Sequence, residues 1–357
     1  MNNLRISRVI EKMRKDHIDQ LLLNDPNAIF YLTDEWIYPG ERLHILSISA
    51  KGEVKYFVNK LFTVKNTDNI EVVYLDDIDD QINILCKSIF GRIIGVDKKF
   101  EAKFLLPIMN LADDADFVDG SYIIDDLRAV KDLDEIEKMI NASKINDATM
   151  DKIKNKLSSH ITEKEMASYL MQTYKSYGAS GFSFDPIIAY GDNATDPHHE
   201  TDDSLLKPGE SVVVDIGCIK DNYCSDMTRT FFYKEVSEEN RKIYNIVKEA
   251  NEKAISIIKP GIKLSDIDKA AREVIEEAGF GKYFTHRTGH FIGLETHETG
   301  DVSSVNDNIV STGNIFSIEP GIYIPGKIGV RIEDLVLVTE EGVKVLNNYT
   351  KDLQIIE

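Results

Sequence analysis

Apolar and polar positions change their period several times along the chain, and the changes separate two regions. Residues 4–18 place Ile6, Val9, Ile10 and Met13 on one face at helical spacing, which predicts an amphipathic helix. Short apolar runs follow at 20–23 (QLLL), 28–33 (AIFYLT), 44–49 (HILSIS) and 54–58 (VKYFV). Turn signals such as Asn24-Asp25-Pro26-Asn27 and Lys51-Gly52 separate them. Further on come VVYL (72–75), a helix near 78–90, RIIGVD (92–97) and a helix near 100–112. Strands alternating with helices in this way predict an α/β domain.

The pattern changes over residues 121–160, which are long, charged and helix-favouring. The boundary is placed near Leu127–Asp132, giving domains 1–127 and 128–357. Further helices are expected at 163–178 (closed by Gly178), about 237–257 and about 264–278. Between and after them lie β-type runs at 185–191, 211–219, 224–233, 314–324 and 329–339. The second domain is therefore expected to be α+β, with a largely antiparallel sheet.

Composition narrows the class. The 357 residues exceed one core of usual size, and 42% hydrophobic with 29% charged residues describe an ordinary globular protein. A net charge of −19 repels phosphate backbones, so nucleic acid is not an expected partner. Three cysteines, Cys86, Cys218 and Cys224, with no CxxC pair, argue against a disulfide framework and for a reducing compartment. The amino-terminal stretch lacks the apolar segment of a signal peptide, and no window approaches a membrane span. A cytoplasmic protein with no membrane partner is expected.

Against this background a few charges stand out. Asp215 lies inside VVVDIG, where a charge is costly unless paired, hydrogen-bonded or bound to a metal. Asp226 follows eleven residues on, beyond the turn signal Lys220-Asp221-Asn222. A hairpin centred between Lys220 and Asp221 would set the two carboxylates directly opposite, where like charges destabilise a sheet and a cation would relieve them. Either aspartate alone could cap a turn or face solvent. Three of the eight histidines fall in THRTGHFIGLETHE: His286, His290 and His297. Glu319 in NIFSIEPGIYI and Glu333 in GVRIEDLVLV again sit among apolar neighbours. Strand alternation puts Arg331 and Glu333 on one face and Asp334 on the other. Several carboxylates with one imidazole and no thiolate suit Mn2+, and less specifically Co2+, Zn2+ or Fe2+, and favour two ions over one.

These runs resemble the pita-bread-fold metallopeptidases, the group of methionine aminopeptidase, aminopeptidase P, prolidase and creatinase. The family's ligand order is met by Asp215, Asp226, His290, Glu319 and Glu333, and the resemblance covers roughly residues 125–350. It implies two divalent ions, with Asp226 and Glu333 shared between them, Asp215 chelating one and His290 and Glu319 completing the other. It implies a proton-shuttle role for Glu319, and catalytic and substrate contacts for His198 (of Pro197-His198) and His297. His199 is expected to be a loop neighbour. His286 and Arg331 match substrate-binding positions of the proline-specific branch. For Arg331, a bidentate clamp on a substrate carboxylate and a pair with a ligand carboxylate are both open. Arg229, in the TRT run, is expected to be structural. Phe291 departs from the small residue usual after the ligand histidine and puts the pocket wall in question.

The amino-terminal region resembles the creatinase type, and YLTDEWIYPGERL (31–43) looks most like bacterial Xaa-Pro dipeptidases. The resemblance also implies a homodimer in which Trp36 would help close the partner's site. Three readings stay open: an Xaa-Pro dipeptidase acting on small proline-containing peptides, an Xaa-Pro aminopeptidase acting on longer ones, and a metal-free relative, creatinase-like or peptide-binding.

Overall fold

Asn24-Asp25-Pro26-Asn27 starts a helix instead of turning the chain. In the computed structural model, which describes residues 3–65, 69–158 and 160–357, Asp25 caps the helix Pro26–Thr33 through its side chain. Its Oδ1 accepts from the Asn27 amide at 3.0 Å, and Pro26 occupies the first turn, where no amide is needed. The apolar run 28–33 is thus a helix buried on all sides, which has no period to distinguish it from a buried strand.

The chain folds as two compact units, Met1–Arg128 and Ala129–Glu357. The first holds a six-stranded mixed sheet, in the order Glu71–Leu75, Val54–Asn59, Ile45–Ser49, Gln20–Leu23, Ile93–Val96 and Asp116–Asp119. The last two join Gln20–Leu23 in parallel, as α/β crossovers require, while the Ile45–Ser49 strand is antiparallel to both neighbours. The first helix runs Asn3–Lys15, shorter than expected from the apolar pattern. The expected helices near 78–90 and 100–112 are Gln81–Cys86 and Ala102–Leu111. Trp36 lies edge-on between Phe30 and Tyr38, with ring centroids 5.1 and 5.5 Å away.

The charged stretch splits into Ser121–Ala129, at the end of the first unit, and Leu133–Lys156 in the second. A capping box of Asp132 and Glu135 starts the longer helix. The central four-stranded sheet runs Gln354–Ile356, Met227–Tyr233, Ser211–Ile216 and Ile187–Tyr190. A five-stranded sheet contains Glu298–Val302, Gly289–Phe291, Ile315–Ile318, Asp334–Thr339 and Gly342–Val345. A ribbon of Gly321–Ile324 with Ile328–Arg331 lies between two of these segments in sequence. Every pairing in these three sheets is antiparallel except that of Gln354–Ile356 with Met227–Tyr233. The helices Glu238–Ser256 and Leu264–Glu277 supply buried apolar faces to one core, and Leu133–Lys156 with Glu163–Ser176 to another. Among the described residues, no helix is long and apolar enough to cross a membrane.

The continuous β-type runs of the sequence are broken at chosen places. The run 224–233 breaks around Asp226, 314–324 at Glu319-Pro320, and 329–339 at Ile332-Glu333.

Candidate active site

The hairpin that carries the two aspartates is registered two residues away from the expected pairing. Its turn is Asp221-Asn222, with φ values of 51° and 68°, so Lys220 faces Tyr223 and Asp215 faces Thr228. Two consecutive left-handed residues fit the right-handed twist of a tight hairpin, and Asp and Asn tolerate that region best. A slip of two preserves side-chain parity, so Asp226 still points to the same face as Asp215, diagonally rather than directly across. Asp226 then leaves the ladder and Asp215 stays in it.

His290 is presented by the short strand Gly289–Phe291. A Cβ on Gly289 would lie 1.8 Å from the Ser317 carbonyl oxygen, so only glycine lets this strand approach Ile315–Ile318. The Ser317 hydroxyl accepts from the His290 amide at 3.0 Å and donates to Glu319 Oε1 at 3.1 Å, fixing histidine and glutamate to each other. Alternation turns Phe291 away: its ring packs at 5.4 Å from Phe316, 5% exposed in the core. The pocket wall is therefore not shaped by Phe291.

All nine residues singled out from the sequence line one cavity of about 890 Å³: His198, Asp215, Asp226, His286, His290, His297, Glu319, Arg331 and Glu333. Donor atoms of Asp226, His290 and Glu333 lie within 4.8 Å of one another, and Glu319 Oε1 is 3.5 Å from His290 Nε2. His297 stands edge-on to His290, with ring centroids 4.3 Å apart. His198 is exposed on the loop between strands, and His286 is half-buried.

Arg331 is committed to the protein. Its guanidinium donates to Asp215 Oδ2 at 2.7 Å, to the Tyr323 hydroxyl at 2.8 Å and to Thr228 Oγ1 at 3.2 Å, with 2% exposure. Of the two roles open for it, the pair with a carboxylate is present, with Asp215. His286 Nδ1 donates to the Arg287 carbonyl at 2.7 Å, which leaves Nε2 to accept from Tyr323 at 3.0 Å. Burial holds the His286 pKa below its ordinary value, in keeping with that neutral tautomer. Tyr323 and Thr228 were not singled out from sequence. Tyr323 looks like one more apolar residue in GIYI; its one signal is Gly321, where a Cβ would meet the Tyr323 hydroxyl at 2.4 Å. Asp334 is fully buried between Arg229 (2.7 Å) and Lys351 (2.9 Å), with no solvent contact.

The electrostatics describe a site short of positive charge. Burial, then repulsion from Asp215 and Glu319, drives Asp226 well above the usual carboxylate range. Burial and repulsion from Asp226 do the same to Glu333. Burial also pushes on Glu319, but His290, Arg331 and the hydrogen bond from Ser317 outweigh it and hold Glu319 below its ordinary value. Burial, helped by His290 and Arg287, lowers His297 to about 4, so its imidazole is neutral at physiological pH. Asp215 Oδ1, Asp226 Oδ1 and Glu333 Oε1 are buried and have no hydrogen-bond partner among the described residues. Orphaned carboxylate oxygens gathered beside one imidazole suit divalent cations.

Comparison with known proteins gives the class. Residues 137–340 match metallopeptidase family M24, and residues 5–130 match the creatinase/prolidase N-terminal domain. The chain belongs to metallopeptidase family M24, a family of divalent-metal enzymes acting on peptides, and its fold is the pita-bread domain behind a creatinase-type α/β domain. It is 40% identical over 352 residues to an uncharacterized peptidase of Staphylococcus aureus (strain MRSA252), covering 97% of this chain and 99% of that one. Among solved structures, it is similar to a dipeptidase from Pyrococcus horikoshii OT3 (TM-score 0.92, 33% identity, 99% and 100% of the two chains). It is also similar to an Xaa-Pro dipeptidase from Bacillus anthracis (TM-score 0.92, 30% identity, 99% of both chains).

The raised carboxylates predict how the metal-free protein responds to pH. A carboxyl whose folded pKa exceeds its unfolded one stabilises the fold below the unfolded value, near 3.8 for Asp226 and 4.5 for Glu333. That contribution is lost as pH rises through the folded pKa. Chelator-treated Asp226→Asn protein is therefore expected to be about 1–4 kcal/mol more stable than wild type at pH 7, with the gap closing toward pH 4. Thermal unfolding at the two pH values measures it, and a less stable variant at pH 7 contradicts the charge argument.

Proposed function

We propose that the chain is a two-metal peptidase that cleaves the bond before proline, acting on Xaa-Pro dipeptides. The observation that carries this reading is the convergence of Asp226, His290 and Glu333 around orphaned carboxylate oxygens, with Asp215 and Glu319 on the same cavity. These five residues would hold the ions, Mn2+ being the best match to their donor set. Bound divalent ions lower the pKa of a coordinated water and polarise the scissile carbonyl. Glu319, held as a carboxylate by the Arg331 charge and the Ser317 hydroxyl and 16% exposed, takes the proton from the attacking water and passes it to the leaving amine. His198 and the neutral His297 contact the substrate carbonyl region from opposite lengths of chain. Arg331 and Tyr323 hold Asp215 and His286 in place for this work.

The dipeptide preference draws on the similarity to solved dipeptidases. One observation favours the second reading, an aminopeptidase for longer peptides: Arg331 is bound to Asp215, so the side chain expected to grip a dipeptide's carboxylate is already engaged. Metal analysis together with hydrolysis of Ala-Pro against Ala-Pro-Ala after Mn2+ loading separates them. Cleavage of the dipeptide alone supports the first reading, and cleavage of both supports the second. Cleavage of neither, with no metal retained, overturns the proposal.

A further inference from the structure

One fully buried carboxylate near the cavity belongs to neither the ligand set nor the proton path. Glu163 is the first residue of the helix Glu163–Ser176, beyond the Thr162 cap, and its side chain is 0% exposed. Its Oε1 accepts from the Tyr190 amide at 2.8 Å and from Asn193 Nδ2 at 3.0 Å. Its Oε2 accepts from the Asp202 amide at 2.9 Å and from His199 Nε2 at 2.6 Å. Four donors and a helix N-terminus satisfy the acceptors of this buried carboxyl group.

The donors are informative by their places in the chain. Tyr190 ends a strand, Asn193 lies in the 3-10 turn Gly191–Thr195, and His199 and Asp202 lie beyond His198. Glu163 therefore clasps both ends of the segment 190–202, and His198 sits inside the clasp. The Pro197 carbonyl also accepts from Arg331 Nη1 at 3.4 Å, which ties the same segment to the cavity's other wall. With a proton on Nε2, His199 donates to Glu163 in a buried pair, its side chain 13% exposed.

We infer that Glu163 and His199 are a positioning pair, which sets the 190–202 segment so that His198 meets the peptide at the cavity wall. The inference rests on the peptidase reading above. Glu163→Gln is expected to lower kcat about 10- to 100-fold, the range for residues supporting a site through another, with KM changed less. In the His198→Ala background the same substitution is expected to cost less than about twofold, because there is no side chain left to position. Losses that multiply, or a Glu163→Gln enzyme within about twofold of wild type, overturn the inference.

If Glu163→Gln does not fold, His199 carries the test. His199→Phe, which lacks the donor, is expected to reproduce the kcat loss, and His199→Gln, whose amide can still donate, to recover most of it. Equal activity in both variants and wild type overturns the pair. NMR of 15N-histidine-labelled, metal-free protein gives a reading independent of catalysis: a slowly exchanging His199 Nε2–H proton is expected. Its absence from folded wild type overturns the pair, whereas a wild type that cleaves neither peptide overturns the peptidase reading instead.

Discussion

Replacing Asp226 with alanine is expected to lower kcat/KM by about a thousandfold and to remove most bound metal. The carboxylate is 3% exposed, and its donor atoms meet those of His290 and Glu333 within 4.8 Å. Its Oδ1 has no hydrogen-bond partner among the described residues. Alanine removes the central acceptor of that group, and His290 and Glu333 are left facing a gap. Metal chemistry contributes several kcal/mol of transition-state stabilisation, and about 4 kcal/mol corresponds to a thousandfold in rate. Metal content by mass spectrometry and kcat/KM on Ala-Pro measure the two effects together. Full activity with full metal content would show that the ion centre lies elsewhere. Circular dichroism separates this outcome from unfolding, since loss of a repelled buried charge favours the metal-free fold.

Arg229→Ala is expected to destabilise the protein by about 3–5 kcal/mol, the cost of breaking a buried ion pair from one side. Arg229 is 1% exposed, and Nε and both terminal nitrogens are engaged. It donates to the Thr350, Thr228, Glu333 and Tyr349 carbonyls at 3.0, 2.9, 2.6 and 2.7 Å, and to Asp334 Oδ1 at 2.7 Å. One side chain thus joins the strand Met227–Tyr233, the break at Glu333 and the carboxy-terminal segment. Its removal leaves carbonyls unpaired and Asp334 buried against Lys351 alone. Lysine cannot restore the fork, so Arg229→Lys is expected to recover only part of the loss. Chemical denaturation of the metal-free protein measures both variants; a loss below about 1 kcal/mol for alanine would show that the network relaxes around the gap.

The cavity residues were legible because their chemistry is at odds with their surroundings. Asp215 after three valines, Glu319 before Pro320 and Glu333 inside a β-type run are charges that an apolar strand does not tolerate without a partner. The order and wording of the five runs then tied them to a family. Less legible were residues that fit their surroundings. Tyr323 in GIYI and Thr228 in MTRTFF are ordinary strand residues, and their contacts with Arg331 come from a segment 103 positions away for Thr228 and across a ribbon for Tyr323. Glu163 in ITEKE carries only a capping signature, and nothing local shows that His199 will meet it.

By itself the sequence determined the two-region organisation, the antiparallel bias of the second region and the charges that had to be gathered, because period and burial conflict are local properties. The tertiary structure decided what depends on register and distance. Pairing of Lys220 with Tyr223 set the aspartates diagonally, and ladder breaks took Glu319 and Glu333 out of the strands that flank them. It turned Phe291 into the core and paired Arg331 with Asp215. Hydropathy records how much a position prefers burial, whereas the partner it meets there is fixed only when distant segments are packed together.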